Sequence, residues 1–376
     1  MAKARSVQTS EREPSDVEAR IVSAIASAGP RNVAEVSRIT RVHAETVRYK
    51  INKRFGRLGF RFHAEVDIGK LGLVLHQGVL NFARGYGTIS QQVLRALNEV
   101  GYLTYFAKVL PQGHFVAYFM LPDGKTSEYE AFLTRLRERG ILAGFSVNEV
   151  VASRHKTMDS RFFNFKSGIW EIPWSEVSSL APAPLLSEKR RGPVEFDYQD
   201  LLTIKELQVD ARQHLTSIAK KLKLNQKVLE YHYRTHVQGR GLVPSYRIRW
   251  AQDITKKLVH SVATTRLTFR GLSHAEYSRA QTAVSKIPFL WAEERLQDGT
   301  YIATMYIPLT EVIHVLNYIN ETVPEVGEGV EMSFVNPSCV ASFTIPYNMY
   351  HNGRWRFNAE NMEEELLKTS ATPVQK

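Results

Sequence analysis

The sequence predicts an α+β protein built from two tandem units, and three observations support this fold class. Residues 33–61 align without a gap with residues 215–243. A second similarity, residues 164–170 against residues 348–355, follows in the same order at nearly the same offset. In each half, short segments with helical periodicity precede a longer segment in which strands and helices alternate. The chain is therefore predicted to be an internal duplication.

The first part of each unit is predicted to be a winged helix-turn-helix. Apolar residues recur at helical spacing three times, and a strand with alternating apolar residues follows a glycine, Gly59 or Gly241. In the first unit the predicted helices lie at residues 17–27, at Val33–Ile39 and at residues 44–55. In the second unit they lie at residues 198–209, 215–222 and 226–237, and the strand at residues 242–250.

The second part of each unit has the element order βαββαβ, which predicts a ferredoxin-like domain. In the first unit these elements are residues 73–82, 89–100, 102–110, 114–121, 127–139 and 144–152. In the second unit they are residues 259–269, 274–286, 289–296, 300–307, 310–322 and 329–343. Each domain offers a sheet face that needs a cover, so the two domains are expected to pair within one chain as an intramolecular pseudo-dimer, with further homo-oligomers left open.

These elements predict a domain order along the chain. It consists of a polar tail (1–16), winged helix-turn-helix 1 (17–66), ferredoxin-like domain 1 with a C-terminal hairpin (70–171), a linker rich in Pro, Ser and Ala (172–194), winged helix-turn-helix 2 (195–250), ferredoxin-like domain 2 with a hairpin (255–358), and a tail (359–376).

Charge is concentrated on the two predicted helix-turn-helix segments. The chain has a formal net charge of +11. Residues 38–63 contain eight Lys or Arg and one acidic residue, and residues 220–245 contain six and one. Such clusters are typical of a surface that binds phosphates. The polar N-terminus and the lack of a long apolar stretch argue against secretion or membrane insertion, so a cytoplasmic, nucleoid-associated protein is expected.

The second head resembles a known family. The segments Asp197–Arg212, Leu215–Leu222 and Gly239–Val243 look like the DNA-binding head of the Lrp/AsnC (feast/famine) transcription regulators. The resemblance implies a transcription regulator that binds double-stranded DNA and pairs its ferredoxin-like (RAM) domains. Because such regulators usually carry one unit per chain, this chain resembles a covalent version of a pair.

The residues predicted to bind DNA face outward from the last helix of each head. Early residues of this helix reach base edges in the major groove, and nearby Lys and Arg hold phosphates. The predicted set is His43, Arg48, Tyr49, Asn52, Lys53, Arg54 and Arg57 in the first head, and Asn225, Gln226, Lys227, Glu230, Tyr231, Arg234 and Arg240 in the second. The two sets differ chemically, so a non-palindromic site is expected.

No catalytic, cofactor or effector site is predicted. Members of the family usually sense a small molecule, often an amino acid, and often carry an Asp after the glycine of the central hairpin. This chain has Gly113-His-Phe-Val and Gly299-Thr-Tyr-Ile instead. A small-molecule effector is therefore left open, without assigned residues, and the chain is predicted not to be an enzyme.

Two further features, a histidine pair and the single cysteine, are candidates for metal or thiol chemistry. His232 and His236 lie one helical turn apart and could form the edge of a zinc site, but no Cys, Glu or His at a suitable spacing completes it. No metal is therefore predicted. Cys339 lies in a strand pattern and is expected to be a small core residue.

Two alternatives remain beside the regulator. Sirohaem decarboxylases combine the same domains, with a catalytic hairpin rich in His, Arg and Tyr. The corresponding stretches here offer His114 and Tyr118, or Arg295, Tyr301 and Tyr306. The positive charge of the heads has no role in that reaction, which favours the regulator. A general nucleic-acid-binding or chromatin architectural protein is the other alternative.

Overall fold

The computed structural model describes residues 17–188, 192–250, 262–324 and 329–371. The predicted polar tail, residues 1–16, lies outside the described residues, as does the start of the predicted second ferredoxin-like domain. Within these ranges no helix is both long and apolar enough to cross a membrane.

Each head consists of several helices followed by one strand. In the first head these are α1 (Val17–Ala28), α2 (Val33–Thr40), α3 (Ala44–Tyr49), the short α4 (Phe55–Arg57) and β1 (Phe60–Glu65). In the second head they are α8 (Tyr198–Val209), α9 (Leu215–Leu222), α10 (Gln226–Tyr231) and β8 (Ser245–Trp250). The last helix of each head changes to a π-helix, at Lys50–Arg54 and at His232–Gln238. The glycines Gly59 and Gly241 then adopt a left-handed φ that turns each chain out of the helix.

Each α/β domain has the predicted βαββαβ order. The first contains β2 (Leu73–Phe82), α5 (Ser90–Val100), β3 (Leu103–Leu110), β4 (Phe115–Pro122), α6 (Thr126–Glu138) and β5 (Leu142–His155). The second contains β9 (Val262–Phe269), α11 (His274–Lys286), β10 (Leu290–Leu296), β11 (Tyr301–Pro308), α12 (Val312–Thr322) and β12 (Val330–Ser342).

The two sheets close into one barrel of strand order β10-β11-β9-β12-β3-β4-β2-β5. At one junction Phe334 of β12 pairs with Leu110 of β3, and at the other Glu293 of β10 pairs with Arg154 of β5. Closure leaves neither sheet with a free edge. The two sheet faces that were expected to need a cover therefore meet inside the barrel.

The hydrophobic cores cross between the units. One core combines the first head with the second α/β domain, for example Ile21 and Phe55 with Phe289. The other combines the second head with the first α/β domain, for example Ile204 with Phe132. Burial of this apolar surface ties each head to the other unit's sheet.

Strands β1 and β8 form an antiparallel two-stranded ribbon that joins the heads. One ribbon face is apolar and packs against the heads, because Phe60, Phe62, Ile248 and Trp250 are all buried. Successive side chains of a strand point to opposite faces. The charged residues of both strands therefore share the second face of the ribbon.

A small hairpin ends each unit. Strands β6 (Phe163–Asn164) and β7 (Ile169–Trp170) form the first hairpin, and β13 (Tyr350–His351) and β14 (Arg354–Trp355) form the second. The linker contains the short helix α7 (Trp174–Val177), and residues Ala359–Ala371, predicted as a tail, form helix α13. Its Leu366 is fully buried, so an apolar stripe holds this helix on the first α/β domain.

His63 makes the stability of the ribbon depend on pH. Its Nδ1 atom lies 2.6 Å from the carbonyl oxygen of Gln208. Burial lowers the pKa of His63, the Gln208 carbonyl opposes this shift, and Arg247 and Arg249 lower the pKa further. A histidine in the unfolded chain has a pKa of about 6.5. The unfolded chain therefore binds more protons below that pH, and the folded state loses stability as the pH falls through it.

We expect the free energy of unfolding to fall less steeply with falling pH in a His63→Gln variant than in the wild type. Urea unfolding from about pH 8 down to about pH 5 spans the range where an unfolded histidine takes up its proton. Parallel curves for the two proteins would show that His63 is not the group responsible.

Candidate active site between the ribbon and the barrel

Most residues predicted to contact DNA lie on the exposed surface of the two heads. The exposed members are His43, Arg48, Tyr49, Asn52, Lys53, Arg57, Asn225, Gln226, Lys227, Tyr231 and Arg234. Arg54, Glu230 and Arg240 are partly buried instead. Arg54 donates a hydrogen bond to the carbonyl of Phe165 at 3.1 Å, and Arg240 donates to the carbonyl of Glu195. These two arginines thus hold neighbouring loops.

A second group of basic residues lies on the charged face of the ribbon. In the β1–β8 register Arg61 is opposite Arg249, and His63 is opposite Arg247. Arg61 and Arg249 are both exposed. Like charges directly opposite each other in a sheet repel. An anion lying across this face would remove that repulsion, so the ribbon face is suited to bind an anionic group.

Tyrosines of the barrel face these arginines. The Arg249 guanidinium hydrogen-bonds to the hydroxyl of Tyr306 on β11, and burial raises the pKa of Tyr306. Burial also raises the pKa of Tyr105 on β3, and the positive charges of Arg266 and Arg249 oppose this shift. Both tyrosines lie deep in the protein and still keep accessible surface. The contact between Arg249 and Tyr306 therefore brings the charged face of the ribbon against the barrel.

A buried charge pair lies behind these tyrosines. Arg266 of β9 donates a hydrogen bond to the hydroxyl of Tyr118 at 3.2 Å, and that hydroxyl donates to Glu294 of β10 at 2.5 Å. Burial opposes the charge on Arg266, but Tyr118 and Glu294 outweigh it and keep the pKa of the guanidinium above its usual value. The two units together thus hold a permanent positive charge inside the barrel.

The barrel interior also contains free space and an apolar patch. Arg266 borders a cavity of about 410 Å³ that is also lined by His114, Arg270 and Asp298. The patch consists of Val150, Leu296 and Ile302, with Leu75 and Tyr118 packed against it. A cavity of this size is within the range of small-molecule sites, roughly 300–1,000 Å³.

A larger cavity lies at the end of the ribbon. Its volume is about 550 Å³, and Glu65, Lys70 and His155 are part of its lining. The Nδ1 atom of His155 is 3.0 Å from Glu65, and its Nε2 atom is 3.1 Å from Arg247. His155 thus connects this cavity to the ribbon arginines. We refer to Arg61, Arg247, Arg249, Tyr105 and Tyr306 as the ribbon site.

Sequence reasoning did not find the ribbon site, although its signal is present. Arg247 and Arg249 alternate with the buried Ile248 and Trp250, so a strand places both arginines on one face. The position of Tyr306 could not be inferred, because it depends on how the ribbon packs on the barrel. Of the residues weighed for a decarboxylase, the structure brings Tyr118 and Tyr306 toward the barrel interior and places Tyr301 in the hydrophobic core.

The structure places two aspartates, which sequence spacing did not reveal, beside His232 and His236. Asp197 and Asp200, at the start of α8, lie beside both histidines, and the four ligand atoms are all within 4.8 Å of one another. The carboxylates are more than 30 residues away in the sequence. Local spacing could not reveal this group, because the packing of α8 against the last helix creates it.

Comparisons with known proteins give a likeness of fold over the full length of the chain. No protein-family model matches the sequence, and no curated protein does. The chain is similar to the crystal structure of the siroheme decarboxylase NirDL, with a TM-score of 0.54 and 9% identity over 94% of this chain and 98% of that chain. For NirDL in complex with an iron-uroporphyrin III analogue the TM-score is 0.55 and the sequence identity 10%, over 96% of this chain and 100% of that chain. For LrpC of B. subtilis the TM-score is 0.29 and the sequence identity 20%, and the match covers 38% of this chain and 96% of LrpC.

The likeness confirms the predicted fold class and corrects the predicted function. Two tandem units of this α+β architecture are found in NirDL over essentially its whole length. The prediction of a DNA-binding regulator is wrong, because the full-length likeness is to solved structures of an enzyme, the siroheme decarboxylase NirDL. The prediction that the chain is not an enzyme is wrong for the same reason.

Proposed function

We propose that this protein is an enzyme that removes carbon dioxide from a substrate with several carboxylates. A carboxylated tetrapyrrole is the substrate class to which the full-length likeness points. The observation that carries the proposal is the ribbon site, where exposed arginines of both heads face tyrosines of the barrel. The net charge of +11 favours the approach of a polyanion.

The arginines are assigned to the carboxylates that do not react. A guanidinium binds a carboxylate through two parallel hydrogen bonds. Such pairing stabilises the ground-state carboxylate more than a transition state in which its charge moves to the neighbouring carbon as carbon dioxide forms, so it would slow the reaction of that group. Arg247 and Arg249 therefore anchor the substrate, and the reacting carboxylate lies toward the apolar patch of Val150, Leu296 and Ile302.

Tyr306 is assigned the proton transfer. Its raised pKa keeps the hydroxyl protonated at neutral pH, and its contact with Arg249 places that proton beside the bound substrate. The bond between the carboxylate carbon and its neighbour breaks, carbon dioxide leaves, and the electron pair stays on the neighbouring carbon. That carbon takes the proton from Tyr306, which regains one from water. The reaction consumes no oxidant or reductant.

We expect an Arg247→Gln/Arg249→Gln variant to bind iron–uroporphyrin III at least about 100-fold more weakly than the wild type, because loss of two charge-assisted pairs removes about 1.5–3 kcal/mol each. The absorbance of the tetrapyrrole on titration with protein measures the affinity. An Arg95→Gln variant is the matched control, because Arg95 is exposed on α5, and it should bind like the wild type.

Equal affinity of the double variant and the Arg95→Gln control would contradict binding at the ribbon site. Raising the salt concentration should weaken binding to the wild type and change the affinity of the double variant less, since screening acts on the charges that have been removed.

A further inference from the structure

We propose that the second head binds one divalent transition-metal ion, with Zn²⁺ as the best-suited ion, through Asp197, Asp200, His232 and His236. This site lies apart from the ribbon site and does not depend on the proposed reaction. All four side chains offer ligand atoms that zinc accepts, namely imidazole nitrogens and carboxylate oxygens.

The distances between the ligand atoms are close to those of a tetrahedral site. The Nδ1 atoms of His232 and His236 are each 2.9 Å from an oxygen of Asp200, and Nδ1 of His232 is 3.6 Å from Asp197 Oδ2. Zinc bonds of about 2.0–2.2 Å at tetrahedral angles place ligand atoms roughly 3.3–3.5 Å apart. All four ligand atoms lie within 4.8 Å of one another, so side-chain shifts of about 1 Å or less bring them to these separations.

The carboxylates are held in place by the backbone. Asp197 caps α8, and its Oδ1 atom accepts from the amides of Gln199 and Asp200, while Asp200 Oδ2 accepts from the Asp197 amide. This capping box leaves Asp197 Oδ2 and Asp200 Oδ1 toward the histidines. Hydrogen bonds that fix ligands in this way are typical of the surroundings of metal sites.

In the first unit an ion pair occupies the positions that correspond to Asp200 and His232. With the offset of 182 residues, Glu18 corresponds to Asp200 and Lys50 to His232. Lys50 forms an ion pair with Glu18, so a fixed cation neutralises the acid of α1. Asp200 is fully buried, and a buried carboxylate requires a compensating charge. The second unit has imidazoles in place of this fixed cation, and a bound metal ion would supply the compensating charge.

The site has an access path and a structural role. The side chain of Asp197 is 51% exposed, so an ion can reach the ligands from solvent. Zn²⁺ would replace the direct contacts between the histidines and Asp200 and would tie α8 to the last helix of the head. Binding to the folded state alone stabilises it. The ion thus strengthens the second head in the way that Lys50 and Glu18 strengthen the first.

The test uses the full chain without a histidine tag, stripped with a chelator and titrated with Zn²⁺ by calorimetry. We expect one Zn²⁺ per chain and a rise in the thermal unfolding midpoint. His236→Gln should bind about 100-fold more weakly or not at all and lose the thermal shift. His274→Gln is the matched control, because His274 is exposed on α11, and it should behave like the wild type.

An Asp200→Glu/His232→Lys variant copies the ion pair of the first unit and separates loss of metal from loss of folding. It should remain folded, with a thermal midpoint that does not respond to Zn²⁺. Two results would overturn the proposal: a folded wild type that shows no saturable Zn²⁺ binding, or equal affinity for Zn²⁺ in the wild type and in either the His236→Gln or the Asp200→Glu/His232→Lys variant.

Discussion

Replacing Arg266 by methionine should lower turnover of a carboxylated substrate about 100-fold or more and lower the free energy of unfolding by about 3–5 kcal/mol. Arg266 is 7% exposed and balances Glu294 across the Tyr118 hydroxyl. Methionine leaves the buried Glu294 charge without its opposite, which costs stability. It also removes the positive charge behind the tyrosines. Urea unfolding and substrate turnover measure the two effects separately.

An Arg266→Met/Glu294→Gln double variant separates the structural role of this charge pair from its role in the reaction. Removing both charges leaves no uncompensated charge in the interior and should restore most of the stability. Loss of a single partner of a buried ion pair is the change that destabilises strongly. Turnover should stay low. If the double variant regained wild-type turnover, Arg266 would matter only for folding.

Replacing Trp250 by alanine should destabilise the protein by about 3–5 kcal/mol, as for other buried tryptophans. Its ring centre lies 4.5 Å from that of Phe60 and 4.3 Å from that of Phe163, and its indole donates to the Leu58 carbonyl at 2.9 Å. The variant leaves a cavity where the ribbon meets the hairpin, and an unpaired carbonyl. Chemical denaturation followed by circular dichroism gives the loss.

The exposed Tyr49 provides the control for this change. It is 54% exposed on the first head, so Tyr49→Ala should change the free energy of unfolding by no more than about 0.5 kcal/mol. Loss of Trp250 should also reduce tetrapyrrole binding, because Trp250 follows Arg249 directly and anchors its strand. A Trp250→Ala variant with wild-type stability would mean that the ribbon is held elsewhere.

Much of the fold could be predicted from the sequence, because its elements follow local periodicity. Helix α9 begins and ends where the pattern of Leu215–Leu222 predicts, and α8 and α11 do so as well. The closure of both sheets into one barrel was not predictable in detail, since β3–β12 and β5–β10 pairing joins residues of different units. The swapped packing of heads and α/β domains depends on the same long-range contacts.

The site was harder to predict than the fold, because its residues come from distant strands. The basic clusters of the heads were visible in the sequence, and their charge suggested phosphates. The structure shows that arginines of β8 lie next to Tyr306, which belongs to the other part of the second unit. Charge alone does not distinguish phosphate from carboxylate. Only the tyrosines and the buried Arg266 around the space indicate which chemistry the charge can serve.

The most direct test of the proposed decarboxylation is the mass of sirohaem after anaerobic incubation with the purified chain. We predict a product that has lost carbon dioxide, formed by the wild type and by Arg95→Gln. A Tyr306→Phe variant should still bind the tetrapyrrole but form the product far more slowly. Sirohaem recovered intact after prolonged incubation with folded wild-type protein that binds it would contradict the proposed function.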